Sequence, residues 1–402
     1  MKLYLQFGYG MMAHVKHMFK EWEEGTVILS PRDMTEEQLS KIANDLKSIN
    51  AHTLLDPQLY VPRSDHHGLL KHNYYQEFGG DNYNTNLISN DQSMNELFEE
   101  LKRLNDLANT QKYIIPGLLC EEPDESWQML QNSFLRIAEK QFTDKKKIAT
   151  LCLSSTILNS TKMDKIEQLL AYISNYNVDG FYILAEGNYL ETNPIWLVNL
   201  LSLTFGIKML NKEVIVGYAN HQMMALACSG TDAIATGNWL NVRHFNLKRF
   251  IEPISSGGKK VAWYYCPCTQ SEYRYSTLEA ANRIGELDIE LLRPDASLNS
   301  NYINSYFDNG VEFKEPASFR HYFQCLYKQI EIISKNTYED TLNAVISIQE
   351  NAEIMIEEFR DKYLKERDRS YSNVGDATTT AIKIFDKEKG ILMRRLWDKI
   401  NS

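Results

Sequence analysis

Residues 212–243 read KEVIVGYANHQMMALACSGTDAIATGNWLNVR, and this stretch decides the predicted fold. It holds two short apolar runs, Val214–Val216 and Ala233–Ala235, each followed by polar or glycine-containing residues. A helical pattern lies between the two runs. Strand, loop, helix and strand in this order form the βαβ unit of a parallel sheet. Polar residues that follow the strands therefore become candidates for a functional site.

The same unit repeats along the preceding part of the chain. Most of the apolar runs there are followed by a helical pattern, and they predict strands at Leu3–Phe7, Val27–Leu29, Thr53–Leu55, Tyr113–Leu119, Ile148–Leu153 and Gly180–Leu184. Eight strands alternating with helices predict an α/β fold, a (β/α)8 TIM-type barrel. An open, doubly wound sheet is the alternative. No GxGxxG or GxxxxGK[ST] pattern follows a predicted strand, which disfavours the nucleotide-binding versions of that sheet.

The composition is typical of a soluble folded protein, since 43% of the 402 residues are hydrophobic and 24% are charged. The sequence has no run of 18 apolar residues, so it predicts no transmembrane helix and no membrane partner. The formal charge of −10 disfavours non-specific binding of nucleic acid through the field of the whole molecule, but it allows a local basic patch. Six cysteines in 402 residues are too few for a disulfide framework, and they favour a reducing location such as the cytoplasm.

The chain beyond the predicted strands divides into further segments. We expect the barrel at residues 1–255, a zinc-binding insert with a helix at 256–335, and a C-terminal helical appendage at 336–402. Ser370–Thr379 is rich in small polar residues and predicts a linker before a last amphipathic helix, Ile382–Ile400. Tyr60–Ser89 predicts a loop that is too long for an ordinary connection, and such loops are usually functional or disordered.

In a barrel of this kind, chemistry lies at the carboxyl ends of the strands. The residues at these ends include carboxylates, amides, guanidinium groups and one histidine, a mixture that suits acid–base or covalent carboxylate chemistry on a polar substrate. The same residues could instead cap helices or bond to nearby backbone. The predicted catalytic residues are Asp56, Glu186 and His221. The predicted substrate-binding residues are Tyr9, Arg32, Gln58, Glu122, Asn220, Asn238, Trp239 and Arg243.

Asp56 is the first choice among the carboxylates because it ends an apolar strand and precedes a proline, which favours extended backbone before it. The competing interpretation is an Asx-turn residue that starts the long loop. His221 could act as a base or a hydrogen-bond donor, or it could simply start a helix that Asn220 caps. Trp239 could stack on a base or sugar while Arg243 holds a phosphate, or the indole could pack under a barrel helix.

Cysteine and histidine residues near the end of the barrel predict a structural zinc site. Cys266 and Cys268 form a close pair, and His321 and Cys325 are four residues apart on one predicted helix face. These four side chains would make a tetrahedral Cys3His site. The alternative is a pair of thiols near a strand end, with His321 and Cys325 taking part in ordinary helix packing.

The order of these features resembles the tRNA-guanine transglycosylase superfamily. Val178-Asp179-Gly180-Phe181 is similar to the family's sixth-strand segment, and Glu213–Gly217 followed by Gly230-Thr231-Asp232 is similar to its seventh strand and the approach to the eighth. Cys266-Pro267-Cys268 resembles the first half of its C-x-C-x-x-C zinc motif, and Phe319–Phe323 resembles the segment that bears its zinc histidine. The resemblance implies a (β/α)8 barrel that exchanges a guanine for a 7-deazaguanine and has a zinc-binding insert.

Two positions depart from the pattern of this family. Its nucleophilic aspartate closes the eighth strand, where this chain has Thr236-Gly237-Asn238. The position of its third zinc cysteine reads Gln270-Ser271. A relative of the kind that places deazapurines in DNA fits these departures better than the tRNA enzyme does, and Asp56 would then supply the carboxylate from a different strand.

The sequence therefore predicts a cytoplasmic transglycosylase-like enzyme that acts on a guanine-type base in DNA or RNA, with structural zinc as its expected metal. Two alternatives stay open. One is a barrel without catalysis that binds nucleic acid or a partner protein within a modification or defence complex. The other is a hydrolase or lyase that acts on a small molecule with Glu186 and His221. A homodimer or a partner protein is possible in each case.

Overall fold

The computed structural model describes residues 1–63, 66, 68–76, 83–162, 164–251, 261–285, 287–310, 312–360 and 369–400. Parts of the predicted loop at Tyr60–Ser89 and the end of the predicted barrel domain, residues 252–255, lie outside these ranges. Among the described residues, no helix is long and apolar enough to cross a membrane.

Parallel strands in the first 236 residues close into a barrel. The strands are β1 (Lys2–Gln6), β2 (Gly25–Leu29), β3 (Ala51–Leu55), β4 (Lys112–Ile115), β5 (Leu119–Cys120), β6 (Lys146–Leu153), β7 (Gly180–Ala185), β8 (Glu213–Val216) and β9 (Ala233–Thr236). Their order is β3-β2-β1-β9-β8-β7-β6-β4, with β5 paired to β6. The remaining gap closes where the Gln111 amide donates to the Thr53 carbonyl at 3.2 Å. The predicted (β/α)8 barrel is confirmed.

Helices surround the barrel and extend beyond it. They are α1 (Met12–Trp22), α2 (Glu36–Lys47), α3 (Asn73–Gln76), α4 (Thr85–Ile88), α5 (Asp91–Leu107), α6 (Glu125–Gln141), α7 (Ser155–Leu158), α8 (Asp164–Ile173), α9 (Pro194–Met209), α10 (Lys248–Ile251), α11 (Tyr275–Arg283), α12 (Asn304–Asn309), α13 (Ala317–Ile333), α14 (Tyr338–Arg360) and α15 (Val374–Ile400). Short 3-10 helices lie at Pro31–Asp33, His221–Ser229, Leu240–Val242, Ile289–Leu292, Ala296–Leu298 and Asn301–Ile303.

Two predicted elements differ in their details. The predicted fourth strand, Tyr113–Leu119, is divided into β4 and β5 at Pro116, because proline has no N–H to donate to a strand ladder. The helical pattern after β8 forms a 3-10 helix at His221–Ser229, and every residue of it is buried. Asn220 caps this helix by accepting from the Gln222 amide at 2.8 Å, as the sequence suggested.

The predicted linker at Ser370–Thr379 is wrong from Val374 onward, because α15 already begins there. Its small polar residues allow close packing. The Thr378 hydroxyl donates to the Val374 carbonyl within the helix at 2.7 Å and accepts from Gln222 of the barrel at 3.1 Å. The small polar residues that suggested a flexible linker therefore belong to the buried first turns of α15.

Helix α15 covers α9 on the outside of the barrel. Because α9 is buried on the barrel side and under α15, its sequence is apolar on nearly all faces, as expected for a helix enclosed by protein. Phe385 of α15 meets Phe205 of α9 edge to face, with their ring centroids 5.9 Å apart. The C-terminal helix is thus packed into the core that it shares with the barrel.

A hairpin of β10 (Trp263–Cys266) and β11 (Ser271–Arg274) follows the barrel, with Cys266 opposite Ser271. Helix α13 packs against both β10 and the barrel strand β1. The described part of the predicted insert therefore lies against the barrel, next to β1.

We predict that Phe385→Ala lowers the free energy of unfolding by about 3–5 kcal/mol, because it removes a fully buried ring and leaves a cavity in its place. Denaturant unfolding of the full chain measures this change. Ile391→Ala, on the same helix but 69% exposed, should change the value by less than about 0.5 kcal/mol. Equal effects from the two substitutions would contradict the docking of α15 on α9.

Candidate functional site

The strand β3 places Asp56 at the carboxyl end of the barrel. The Asp56 amide continues the sheet pairing by donating to the Leu29 carbonyl at 3.0 Å. The chain then turns sharply, since Gln58 has a positive φ of 58°. The Gln58 amide donates back to Asp56 Oδ1 at 3.1 Å, which is the Asx-turn that the sequence offered as an alternative. The turn leaves Oδ2 of Asp56 directed at other side chains.

Three tyrosine hydroxyls surround Asp56 Oδ2. Tyr60 donates a short hydrogen bond to it, and the hydroxyls of Tyr182 and Tyr218 lie at 3.2 and 3.4 Å. The Gln58 amide side chain donates to the Tyr218 hydroxyl at 3.0 Å. We call these five residues the Asp56 cluster. Because its members come from β7 and from the turns after β3 and β8, the cluster forms only when the barrel closes.

Burial dominates the electrostatics of this cluster. Asp56 is fully buried, and this raises the pKa of its carboxyl to about 6, against the opposing effect of the hydrogen bonds from Tyr60, Gln58, Tyr182 and Tyr218. Among the described residues, its hydrogen-bond partners are all neutral. Burial also raises the pKa of Tyr60 well above its usual value, so this hydroxyl stays protonated at neutral pH. Within the Asp56 cluster, the Asp56 carboxyl is therefore the group that changes its charge near neutral pH.

Two phenylalanines from the segment after β9 cover the cluster. Phe250 lies edge to face on Tyr60 with ring centroids 4.9 Å apart, and Phe245 does the same at 5.4 Å. Both also contact Tyr218, and each is 1% exposed. We call Phe245 and Phe250 the aromatic plug. In this conformation the plug separates Asp56 from solvent.

Basic side chains surround the aromatic plug. The Arg32 and Arg249 guanidinium groups lie 5.4 and 5.6 Å from the Phe250 ring centroid, and Arg63 donates to the Phe250 carbonyl at 3.3 Å. Lys71 donates to the Arg32 carbonyl at 3.1 Å. We call these four residues the basic rim. Burial, followed by repulsion from Arg249, lowers the pKa of Arg32 against the opposing effect of Asp33.

A second site lies beside the end of β9, between the barrel and the hairpin. Arg243 is buried there and donates to Glu272 Oε1 at 2.6 Å, while Arg369 donates to Glu272 Oε2 at 2.5 Å. Burial by itself would raise the pKa of Glu272, but the two arginines and the Tyr189 hydroxyl outweigh it and lower the pKa to about 2. Trp239 and Asn238 line the same cavity, which has a volume of about 170 Å³. We call it the insert cleft.

The other predicted residues lie outside these two sites or at their edges. Tyr9 is 74% exposed at the rim of the barrel, and Glu122 is exposed and pairs with Lys165. Glu186 accepts from the Ser155 amide at 3.1 Å, at the start of α7. His221 is buried among aromatic rings, where desolvation lowers its pKa to about 4. Of the predicted residues, the structure thus groups Asp56 with Gln58 and Arg32, whose amide donates to Gln58 Oε1 at 3.0 Å. It groups Arg243 with Asn238 and Trp239, and it places His221 against Tyr265 and Tyr322 of the insert cleft.

The predicted zinc ligands lie near the hairpin, but they do not make a complete site. The sulfurs of Cys266 and Cys268 are 3.2 Å apart, and Cys325 Sγ lies 3.6 Å from His321 Nδ1. Both ring nitrogens of His321 are engaged, Nδ1 with Ser300 at 2.7 Å and Nε2 with the Tyr265 carbonyl at 2.7 Å. No group of three His, Cys, Asp or Glu residues within the described ranges is placed to hold a metal. His321 therefore does not fit as a ligand in this arrangement, and zinc binding stays a prediction.

Sequence reasoning missed the residues that complete both sites. Tyr182 lies within a predicted strand, and Tyr218 lies two residues after another, so the barrel rule applied strictly would have found Tyr218. The inward direction of Tyr182 requires the register of β7. Arg369 lies 97 residues from Glu272 along the chain, and no local pattern connects them.

Comparisons with known proteins were made for the whole chain. No protein-family model matches the sequence, and no curated protein matches it. Among solved structures, 3-dehydroquinate dehydratase from Aquifex aeolicus VF5 is similar over 62% of this chain and 96% of its own, with 14% identity and a TM-score of 0.34. The carboxyl transferase domain of Rhizobium etli pyruvate carboxylase with pyruvate is similar over 97% of this chain and 77% of its own, with 9% identity and a TM-score of 0.37. These scores support no argument about function, and the assignment of the fold rests on the strand order.

We predict that Asp56→Asn raises the free energy of unfolding at pH 7.5 by up to about 3 kcal/mol, at about 1.4 kcal/mol per pKa unit. The pKa of the Asp56 carboxyl is ordinarily 3.8 and is about 6 in the folded protein. Between pH 3.8 and about 6, the folded protein therefore holds a proton that the unfolded protein has lost. The stability that protonated Asp56 contributes is fully present below pH 3.8 and is lost as the pH rises through about 6. Denaturant unfolding between pH 3 and 8 measures the difference from wild type.

The gain from Asp56→Asn should therefore disappear near pH 3. The exposed Asp398 offers a control, because Asp398→Asn removes a carboxylate that is already solvated. A loss of stability in Asp56→Asn at pH 7.5 would show that hydrogen bonds to the charged form outweigh its desolvation.

Proposed function

We propose that this barrel is a transglycosylase-like enzyme, a divergent relative of the tRNA-guanine transglycosylase superfamily, that exchanges or removes a guanine-type base in DNA or RNA. The observation that supports it is the Asp56 cluster at the carboxyl end of the barrel. An ionisable carboxyl, buried among three tyrosine hydroxyls, is the kind of perturbed group that functional sites contain.

The proposed chemistry uses Asp56 in its charged form. The carboxylate faces the sugar C1′ and forms a bond to it as the bond from C1′ to the base nitrogen breaks. The electron pair of that bond leaves with the base, which takes a proton from a hydroxyl of the cluster. In the second half, a nitrogen of the incoming base bonds to C1′, the ester electron pair returns to Asp56, and the incoming base returns the proton. If water replaces the incoming base, the same sequence removes the base.

The surroundings of Asp56 suit a planar ring. Tyr60 and Tyr218 already present their faces and edges to the two rings of the aromatic plug. Enzymes that act on a base extrude it into a pocket where aromatic or apolar side chains hold it. A guanine that displaces the plug would find similar aromatic contacts.

The basic rim provides local positive charge in a chain whose net charge is negative. The formal charge is −10 for the whole chain, but Arg32, Arg63 and Arg249 lie beside Phe250 of the aromatic plug, and Lys71 lies beside Arg32. Asp33 pairs with Arg249 at 2.9 Å. Phosphate contacts depend on such local charge.

A barrel without catalysis, which binds nucleic acid or a partner protein, is the second candidate. The observation in its favour is the sequence Thr236-Gly237-Asn238 at the end of β9, where the family has its nucleophilic aspartate. The small-molecule hydrolase or lyase has less support. Glu186 bonds to the start of α7, whereas His221 lies among Tyr265, Tyr371 and other rings.

We predict that wild-type protein exchanges labelled guanine into or out of a nucleic acid and that Asp56→Asn lowers the rate at least about 1000-fold, since the amide cannot form the ester. The rate of the wild type should rise with pH through about 6, as the carboxyl of Asp56 loses its proton. Retention of labelled base, measured by filter binding, gives the rate.

Asp398→Asn is the matched control, since it makes the same change of side chain at an exposed position on α15. It should exchange guanine at the wild-type rate. Full activity of a folded Asp56→Asn variant would refute the role of Asp56. Binding without exchange, across DNA and RNA of several sequences, would favour the second candidate.

A further inference from the structure

Gln6 of β1 lies inside the barrel and contacts the Asp56 cluster through one of its tyrosines. Its side chain is fully buried, and its Oε1 atom lies 3.0 Å from the Tyr182 hydroxyl. The same hydroxyl lies 3.2 Å from Asp56 Oδ2. A tyrosine hydroxyl has one proton to donate, so Tyr182 can donate to Gln6 or to Asp56 but not to both.

Asp56 Oδ2 has more potential donors than it can accept. The hydroxyls of Tyr60, Tyr182 and Tyr218 all lie within hydrogen-bond distance of this atom. A carboxylate oxygen offers about two lone pairs, and the short bond from Tyr60 takes one of them. Tyr182 and Tyr218 therefore compete for the other, and the groups behind them decide which of the two can turn away.

The amide side chain of Gln58 holds Tyr218 in a fixed direction. Gln58 Oε1 accepts from the Ser30 hydroxyl and from the Arg32 backbone amide, both at 3.0 Å. Its Nε2 atom must then face Tyr218, to which it donates at 3.0 Å. Because the Tyr218 oxygen already receives this bond, its own proton is directed away from Gln58 and toward Asp56.

The amide side chain of Gln6 has no such anchor. Its Nε2 atom has no hydrogen-bond partner among the residues that the structure describes, whereas its Oε1 atom faces Tyr182. A half-turn of the amide exchanges its acceptor oxygen for its donor nitrogen. Gln6 can thus accept from Tyr182 in one orientation and donate to it in the other, and the turn breaks no other described bond.

We propose that Gln6 is a positioning residue whose amide turns over with the charge of Asp56. When Asp56 is protonated, its Oδ2–H group donates to the Tyr182 oxygen, and Tyr182 donates to Gln6 Oε1, which is the orientation of Gln6 in the structure. When Asp56 is charged, Tyr182 turns its O–H bond to Oδ2, and Gln6 donates to the Tyr182 oxygen from Nε2. Both states form a continuous chain of hydrogen bonds, and Tyr182 keeps its proton in each.

This arrangement suits a carboxyl group that must exist both with and without its charge. A carboxylate that only had to stay charged would be held by fixed donors, as it is by Tyr218. If Asp56 bonds to a sugar carbon, ester formation also removes its charge, and Tyr182 can turn to Gln6 while the ester exists. That part of the role rests on the proposed function, whereas the turn of the amide with protonation does not.

Other titratable groups also face the cluster. Burial raises the pKa of Tyr74 on α3 and of Cys152 on β6 well above the usual values, so both stay neutral near pH 6. The variant Asp56→Asn separates the influence of the remaining charges from that of Asp56. The charged side chains whose fields reach the cluster or Cys152 include Arg32, Asp33, Glu186 and Arg249.

NMR spectra of the full chain, labelled with nitrogen-15 in its glutamine side chains and recorded from pH 5 to 8, test the inference. We expect the Nε2–H signals of Gln6 to shift with a midpoint near pH 6, because their acceptor is present only when Asp56 is charged. The side-chain signals of Gln58 should shift less, since its amide does not turn, although its backbone amide donates directly to Asp56. Gln6→Met and Gln58→Met assign the signals, and Tyr182→Phe assigns those of Gln6 if Gln6→Met does not fold.

In Asp56→Asn the Gln6 signals should keep one position over this pH range, while Asp398→Asn, at an exposed position, should keep the wild-type midpoint. Gln6 signals that stay still in the wild type, that shift in Asp56→Asn, or that shift no more than those of Gln58 would each overturn the inference. A turning amide without base exchange would refute the proposed function alone. Base exchange with an amide that does not turn would refute the role of Gln6 alone.

Discussion

The burial of the Asp56 carboxyl among hydrogen-bond partners that are neutral, as far as the structure describes them, is the constraint around which this barrel is arranged. A charged group in the protein interior normally pairs with an opposite charge, or its pKa shifts. Asp56 receives hydroxyl groups and a backbone amide, and its pKa moves toward neutrality. The packing of Tyr60, Tyr182 and Tyr218 therefore keeps a group at the barrel centre in a state that a purely structural core would avoid. Such an arrangement is typical of sites that sacrifice stability for chemistry.

In the insert cleft, a buried carboxylate is stabilised by cations instead of by neutral groups. Glu272 is also buried, but it has two guanidinium partners and keeps its charge at all ordinary pH values. This ion cluster connects the segment after β9, the hairpin and the residues before α15. Removing Glu272 would leave Arg243 and Arg369 without their shared carboxylate, so the three segments depend on this residue for their position.

Much of the fold and part of the site were predictable from the sequence. Short apolar runs with polar ends predict parallel strands, and the barrel rule selects Asp56 and Gln58 because both follow such a run. The tyrosines around Asp56 were not predictable, since their meeting depends on the register of three separate strands. The start of α15 was hidden because small polar residues such as Thr378 have the same composition in a flexible linker and in a tightly packed helix end. The pairing of Glu272 with Arg369 required the fold itself.

The segment after β9 contains both Arg243, in the cleft, and Phe245, in the plug. The Arg243 side chain is held by the bond from its Nε atom to the Gly237 carbonyl at 2.8 Å, and the Phe245 backbone is held by the bond from the Gly187 amide to its carbonyl at 3.4 Å. The segment is therefore anchored both to the residues after β9 and to the turn after β7. The backbone that carries the aromatic plug is thus positioned by the same short segment that supplies Arg243 to the ion cluster of Glu272, and replacing this segment would alter both places at once.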